Sequence, residues 1–444
     1  MNIALVGPYF SSSGTTKHVT NIFNGLTSTH TGDVFLITFR ESNESNFNEY
    51  LGPKIITYNK IPSPILFEEF AEFISEKIIE NQINILLPQI KPFILFCASL
   101  VKSKLLEKGY KILIIGTWHS NFSWIVTAPY HLAMSKMGIN SCDGIIPVSK
   151  DVENSLQYVL NFDPTKILPI IPPGGIDFEN VNKNRSKLLL DIKNRFSINR
   201  KYIIFLGRLL YNKGLDTLIS AFNKIDFDGY LVIIGSGPYE KELKDKISAL
   251  NLEKRIIFTK FITDDEVYSL LQGAELYCLP SRWESFSIST LEAMGAGIPV
   301  VCSNVGGLGM WASEAAILIE PENEKQLINE VDKVLNDENL ANELRKKSIK
   351  LSKKFDYKAI SENTLESISS HIERLHNNEI IDERDLQFQF NDKTGEITAN
   401  VIDLSKNIKE NMKITDYALY FPSEALKNEN KNVDPTIKYF VRVE

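Results

Sequence analysis

The stretch Glu275-Leu-Tyr-Cys-Leu-Pro-Ser-Arg-Trp-Glu284-Ser-Phe-Ser-Ile-Ser-Thr-Leu-Glu292-Ala-Met-Gly-Ala-Gly-Ile-Pro-Val-Val301 decides how this chain folds. Residues 275–279 read as a buried strand, Pro280 and Ser281 as a turn, and the segment from Glu284 to Glu292 as the opening of a helix. A strand that passes through a small polar turn into a helix is how an α/β sheet builds an anion site. The free N–H groups of Phe286, Ser287, Ile288 and Ser289 would point at a phosphate. Glu292, further along the helix, could accept hydrogen bonds from a ribose. Glu284 and Glu292 bracket the segment with seven residues between them. Either acid could instead be a carboxylate satisfied at a helix start.

Outward from this stretch, short β-branched runs alternate with helical patterns, the mark of βα units on a parallel sheet. In the first half the strand candidates are 3–6, 34–38, 83–86, 112–115, 144–148 and 167–171. In the second half they are 202–206, 230–234, 256–259, 275–279, 298–302 and 316–319. Six and six predict two doubly wound domains, an N-terminal one over 1–178 and a C-terminal one over 179–355. The link between them is Pro172-Pro-Gly-Gly-Ile-Asp-Phe, where proline and glycine punctuate the chain. A further helix is expected over 356–378. From residue 379 to 444 the texture changes to short alternating runs at 386–390, 396–402, 416–421 and 438–443, a small antiparallel β module without an assigned role. No stop signal closes it, which leaves open that the natural chain continues.

At 444 residues the chain is too long for one core. Its 43% hydrophobic and 24% charged content are those of a soluble globular protein. With 49 basic and 56 acidic residues the net charge is −7, which argues against generic nucleic-acid binding but not against a local basic patch. Cys97, Cys142, Cys278 and Cys302 are scattered among apolar residues without zinc-ligand spacing, and read as small buried hydrophobes in a reducing compartment. The chain begins as a strand and not as a signal peptide, and the apolar run from 83 to 101 is interrupted by Pro88, Gln89, Lys91 and Pro92. The expected location is the cytoplasm.

Several further residues could carry chemistry. Arg208 follows the strand at 202–206, and Lys213-Gly214 opens the next helix. Two cations at a strand's carboxyl end are placed to meet a phosphate, although either alone would read as a solvated loop charge. Asp226-Phe-Asp228 has the letters of a metal-holding Asp-x-Asp, but it stands before a strand, away from the glycine-rich turns, and no metal role is assigned to it. Gly7-Pro-Tyr-Phe-Ser-Ser-Ser-Gly14 is a glycine-serine loop after the first strand. His119 follows the strand at 112–115, while His18, His30, His131, His371 and His376 have no such context. Trp118, Phe122 and Trp124 could stack on a sugar, or pack in a core.

With the two acids, Gly207-Arg208, Lys213-Gly214, Gly235-Ser-Gly-Pro238 and Gly306-Gly307 in that order, residues 200–340 resemble the retaining GT-B glycosyltransferases. The narrower resemblance is to the large bacterial family of mannosyl-, glucosyl- and galactosyltransferases (group 1, family 4). It is weaker in the first half, and absent from the last 65 residues or so. It implies two Rossmann-like domains facing a cleft, with Arg208 and Lys213 on a leaving diphosphate, Glu284 at the donor sugar and Glu292 on the ribose. It also implies Gly235 near the nucleoside, residues 260–262, with Ile262, beside the base, and Gly14 and His119 near the diphosphate and sugar. In such relatives the helix after the second domain crosses back to the first. This chain departs from the family in its serine-rich first loop and in Met310, where relatives carry an acid.

The function so implied is metal-independent, retaining transfer of a hexose from a UDP- or GDP-linked sugar to a sugar or lipid-linked acceptor. Bacterial envelope polysaccharide or glycoconjugate synthesis is the expected setting. No other cofactor and no nucleic-acid partner is expected, and a lipid-linked acceptor leaves room for peripheral attachment to the inner face of a membrane. The alternatives are a nucleotide-sugar epimerase of the same fold, or a catalytically degenerate protein serving as a partner or scaffold.

Overall fold

Among the described residues, twelve parallel strands form two six-stranded sheets, each with the same winding. The computed structural model describes residues 1–7, 14–39, 54–60, 67–89, 92–119, 129–158, 160, 162–260, 262–377, 384–391, 396–403 and 408–414. The chain divides into two compact units, Met1–Ile171 with Ser361–Glu444, and Pro172–Ile360.

The first unit holds β1 (Asn2–Val6), β2 (Val34–Phe39), β3 (Ile55–Tyr58), β4 (Ile83–Pro88), β5 (Leu113–Trp118) and β6 (Gly144–Pro147), in the order β3-β2-β1-β4-β5-β6. The second holds β7 (Tyr202–Leu206), β8 (Tyr230–Ile234), β9 (Ile256–Lys260), β10 (Leu276–Leu279), β11 (Val300–Ser303) and β12 (Ile317–Ile319), in the order β12-β11-β10-β7-β8-β9. Their residues are β-branched and aromatic, and the central strands are buried along nearly their whole length, as helices on both faces of a sheet require. In each sheet the first strand of the unit lies beside its fourth. The chain leaves those two strands toward opposite sides, and a crevice opens at their carboxyl ends. That point lies between β1 and β4 in one unit and between β7 and β10 in the other.

All six strands expected in the second half form. In the first half one expectation fails. Residues 167–171 make no strand: beside β6 they form one isolated bridge, Ile145 with Ile167, and two bonds, from Leu168 N–H to Ile145 O at 2.9 Å and from Ile171 N–H to Pro147 O at 3.0 Å. Pro169 has no N–H to give a ladder, and Pro172 and Pro173 follow at once. The sixth strand is β3, a four-residue, partly exposed edge strand with no long apolar run to announce it.

The turn expected to link the domains is built into the second unit. Ile176 N–H donates to the Phe355 carbonyl at 2.9 Å, and Tyr357 N–H donates to that of Ile176 at 2.9 Å. Gly175 has φ +62°, and a Cβ there would lie 2.3 Å from the Phe355 oxygen, so only glycine fits. The helix Tyr357–His376 starts in the second unit, and its residues from Ser361 onward count with the first. Near its end His371 Nε2 lies 2.8 Å from the carbonyl of Asp143.

Beyond it, β13 (Arg384–Asn391), β14 (Glu396–Asp403) and β15 (Ile408–Ile414) form an antiparallel sheet in the order β13-β14-β15. The first two match expected runs. The third was not expected, because its polar and apolar residues do not alternate cleanly. The runs at 416–421 and 438–443 lie outside the described residues. All four cysteines are buried, and burial pushes their thiols up, which suits packing and not reactivity. Among the described residues no helix is long and apolar enough to cross a membrane.

Candidate functional site

The second unit's crevice is lined by the loops after β7 and β10. The loop after β7 runs through Gly207 and Arg208 into a short turn, Tyr211–Lys213, that ends on Gly214 with φ +66°. A Cβ on Gly214 would sit 1.9 Å from the carbonyl oxygen of Pro280, so glycine lets the two loops touch backbone to backbone. Arg282 fastens the same contact. Its N–H donates to Asn212 O at 2.8 Å, and its guanidinium forks onto Asp216 at 2.9 and 2.8 Å. It also donates to Tyr211 O at 2.6 Å and to Glu322 at 2.9 Å, and lies 3.9 Å above the Tyr211 ring. The Asp216 bond pushes the guanidinium pKa up. Burial alone would raise Asp216, but the hydrogen bond and charge of Arg282 outweigh it and hold the carboxyl below its ordinary value.

Across this junction Lys213 meets Glu284. Lys213 Nζ lies 2.5 Å from Glu284 Oε1, and Ser281 Oγ donates to that oxygen at 2.9 Å. Glu284 is 6% exposed. Gly306, at φ +46°, admits the Glu284 backbone, since a Cβ there would come within 2.3 Å of its carbonyl oxygen. Arg208, by contrast, is exposed and forms no ion pair among the described residues.

Ser287 opens the helix Ile288–Gly295 in a left-handed conformation, φ 73°, and its Oγ accepts from Thr290 N–H at 3.4 Å. A serine in that region stores backbone strain that the surroundings must hold in place. Tyr277 helps to hold it from β10, donating its hydroxyl to Ser289 Oγ at 3.0 Å. The Phe286 side chain turns into the core and stacks on Trp311 at 4.9 Å, so it can offer an anion only its main-chain N–H. Ile288 and Ile262 are half-buried against the same core. Glu292 is only 3% exposed, and the Tyr268 hydroxyl donates to its Oε1 at 3.2 Å.

Gly235, at φ +139°, passes so close to Gly207 that a Cβ would meet its carbonyl at 2.0 Å. Leu209 N–H donates to Ser236 O at 2.9 Å, and the Gly-Ser-Gly-Pro turn thereby braces the Arg208 loop. Asp228 of the Asp-x-Asp pattern is paired with Arg200, and Asp226 lies beside Asp332, whose carboxyl is raised by burial and then by that neighbour.

The structure thus brings Arg208, Lys213, Gly235, Ile262, Phe286, Ser287, Ile288, Glu284 and Glu292 together in one unit. Gly14 and His119 belong to the other. Gly14 begins the helix Gly14–Thr29, and His119 is half-buried beyond β5. Residues 8–13, Phe122 and Trp124 lie outside the described residues. The sequence reading passed over Arg282, Ser281 and Tyr268. Arg282 had a readable place, just after a strand and its turn, whereas Tyr268 lies on a helix whose packing no local pattern announces.

The family description "Glycosyl transferases group 1" matches residues 189–351. Through this segment the chain is similar to the group 1 glycosyltransferases. The matched segment contains the whole Lys213–Glu284 junction and the helix bearing Glu292. Among similar curated proteins is an uncharacterized glycosyltransferase of Methanocaldococcus jannaschii, 34% identical over 44% of this chain and 52% of its own length. Another is a mannosylfructose-phosphate synthase of Agrobacterium fabrum, 33% identical over 38% of this chain and 39% of its own. The chain thus spans about half, or less, of these relatives. Among solved structures, sucrose-phosphate synthase from Thermosynechococcus elongatus matches with a TM-score of 0.68 at 19% identity, over 85% of this chain and 100% of that one. Anabaena HepE in complex with UDP and glucose matches with a TM-score of 0.70 at 17% identity, over 83% of this chain and 100% of that one. At such identities the likeness shows the fold, and that fold is GT-B.

Proposed function

We propose that this chain is a retaining glycosyltransferase that moves a hexose from a UDP- or GDP-linked sugar onto a sugar or lipid-linked acceptor, with fixed protein charge in place of a metal. The observation that carries this reading is the Lys213–Glu284 pair, a cation and a carboxylate set 2.5 Å apart across the switch point between β7 and β10. Arg208 stands exposed on the same loop as Lys213, and the helix N-terminus at Ser287 adds the positive end of a dipole. Together they suit a departing diphosphate, whose developing charge is the main thing such a reaction must stabilise. A structural neighbour supports the donor class and a relative the acceptor class: HepE was solved with UDP-glucose, and one similar enzyme of Campylobacter jejuni is named for an undecaprenol-linked acceptor.

In this reading Lys213 shares its proton donors between Glu284 and the diphosphate, and Glu284 faces the donor sugar. Glu292, held by Tyr268, accepts from the ribose. The bond from the sugar's anomeric carbon to the phosphate oxygen breaks as the bond to the acceptor oxygen forms on the same face. The departing phosphate oxygen takes the acceptor's proton. The test is thermal stabilisation by UDP, GDP, ADP and their sugars with EDTA present. A ligand at a hundredfold excess over its Kd adds about 2.7 kcal/mol. One nucleotide should raise the melting temperature, and Arg208→Ala should abolish the shift. A folded sample that no nucleotide stabilises would overturn the reading.

A further inference from the structure

At the first unit's switch point, polar side chains from three segments meet behind the end of the sheet. His18 comes from the helix after β1, Gln89 from just beyond β4, and Thr117 and His119 from the end of β5. Gln89 is tied to β1 by its N–H, which donates to Val6 O at 2.9 Å. Its side-chain Nε2 donates to Leu87 O at 3.1 Å, which sets the amide so that Oε1 faces the other way. That oxygen accepts from the Thr117 hydroxyl at 2.7 Å and lies 2.8 Å from His18 Nε2. An amide oxygen can only accept, so His18 carries its proton on Nε2.

The opposite nitrogen, Nδ1, is buried and has no hydrogen-bond partner among the described residues. The ring itself rests edge-on against His119, with centroids 4.4 Å apart and planes at 71°. Burial lowers the His18 pKa to about 4, against a smaller upward pull from Gln89. The described groups against it are Gln89, which carries no charge, and the His119 ring. A buried acceptor left unpaired costs stability that an apolar ring of the same size would not. Gln89 alone fixes the tautomer, and its own amide is held in place by Leu87 and Thr117.

We propose that His18 is a positioning residue for His119: Gln89, itself held by Thr117, locks it as an Nε2-protonated neutral ring, and that ring sets the orientation and proton affinity of His119. This rests on the expectation, carried by the resemblance, that His119 lies near the sugar. His18 was without context in the sequence, and its place beside His119 is what the fold supplies.

The test uses the full chain, with imidazole nitrogen NMR, transfer kinetics and nucleotide-induced thermal shifts measured in parallel. In the wild type His18 should show the Nε2–H tautomer and stay neutral between about pH 5 and 8. His18→Phe should keep the nucleotide shift, move the His119 titration, and lower kcat roughly tenfold with little change in donor KM. Gln89→Glu should place a carboxylate on His18 Nε2, raise its pKa and give the transfer rate a new ionisation near neutral pH. A His18 that titrates at its ordinary value would overturn the proposal. So would a proton on Nδ1, or a His18→Phe chain in which neither the His119 titration nor kcat moves. If no nucleotide stabilises the wild type, it is the transferase reading that fails, and the imidazole spectra decide the bracing of His119 by themselves.

Discussion

Glu284 is a buried carboxylate whose Oε1 accepts from two donors, Lys213 and Ser281. Removing one member of such a pair leaves the other charged and poorly solvated. Lys213→Ala should therefore destabilise the chain by about 1–3 kcal/mol, while Lys213→Ala with Glu284→Ala should return much of that loss. Urea midpoints of the two single variants and the double variant measure this, and strictly additive losses would refute the coupling. Glu284→Gln keeps the shape and removes the charge. It should retain nucleotide binding and lose most of the transfer rate, which a thermal shift and a product assay separate.

At the scale of elements, the site depends on loops that touch without side chains between them. Gly214 against Pro280 and Gly235 against Gly207 are contacts in which any Cβ would come within about 2 Å of a carbonyl oxygen. Gly214→Ala should part the β7 and β10 loops, cost roughly 1–3 kcal/mol from the forced left-handed backbone, and abolish the nucleotide shift even where the chain stays folded. Arg282 performs the same fastening with its fork. Arg282→Lys keeps the charge but not the paired bonds to Asp216, so it should weaken nucleotide binding nearly as much as Arg282→Ala. Full binding in Arg282→Lys would show that charge alone suffices there. The elements themselves were mostly legible: residues 202–206 and 230–234 are apolar over their whole length and became strands over those same bounds. β3 was not, because a four-residue, half-buried edge strand has neither a long apolar run nor a clean alternation.

For the whole molecule, acid is the informative variable. His18 and His371 are both buried in the first unit, and burial lowers both pKa values, His18 to about 4. In the unfolded chain a histidine takes up its proton near 6.5. Above that pH both states are neutral and stability is unaffected. As pH falls from 6.5 toward about 4, the unfolded chain binds protons that the folded chain refuses, so stability is lost, on the order of 3 kcal/mol from His18 alone. His18→Phe should flatten that fall in a series of urea melts. An unchanged slope would mean that the ring titrates normally in the folded protein.

The local pattern of residues was enough for two doubly wound α/β units, one first-half strand apart, and for the acids, the cations and the glycine turns as separate candidates. These are properties of short windows: apolar run length, turn chemistry and the spacing of charged residues along a strand–helix passage. Their grouping was a matter of tertiary structure. Lys213 and Glu284 are 71 residues apart, and they meet because β7 and β10 are neighbours in the sheet although two strands intervene in the chain. Gln89 and His18 are likewise 71 residues apart and meet where β1 lies beside β4. Phe286 stood in the candidate motif, yet its ring was claimed by the core through Trp311. Which side chains share a crevice is set by strand order, and strand order is fixed by the packing of distant segments, which no window of adjacent residues contains.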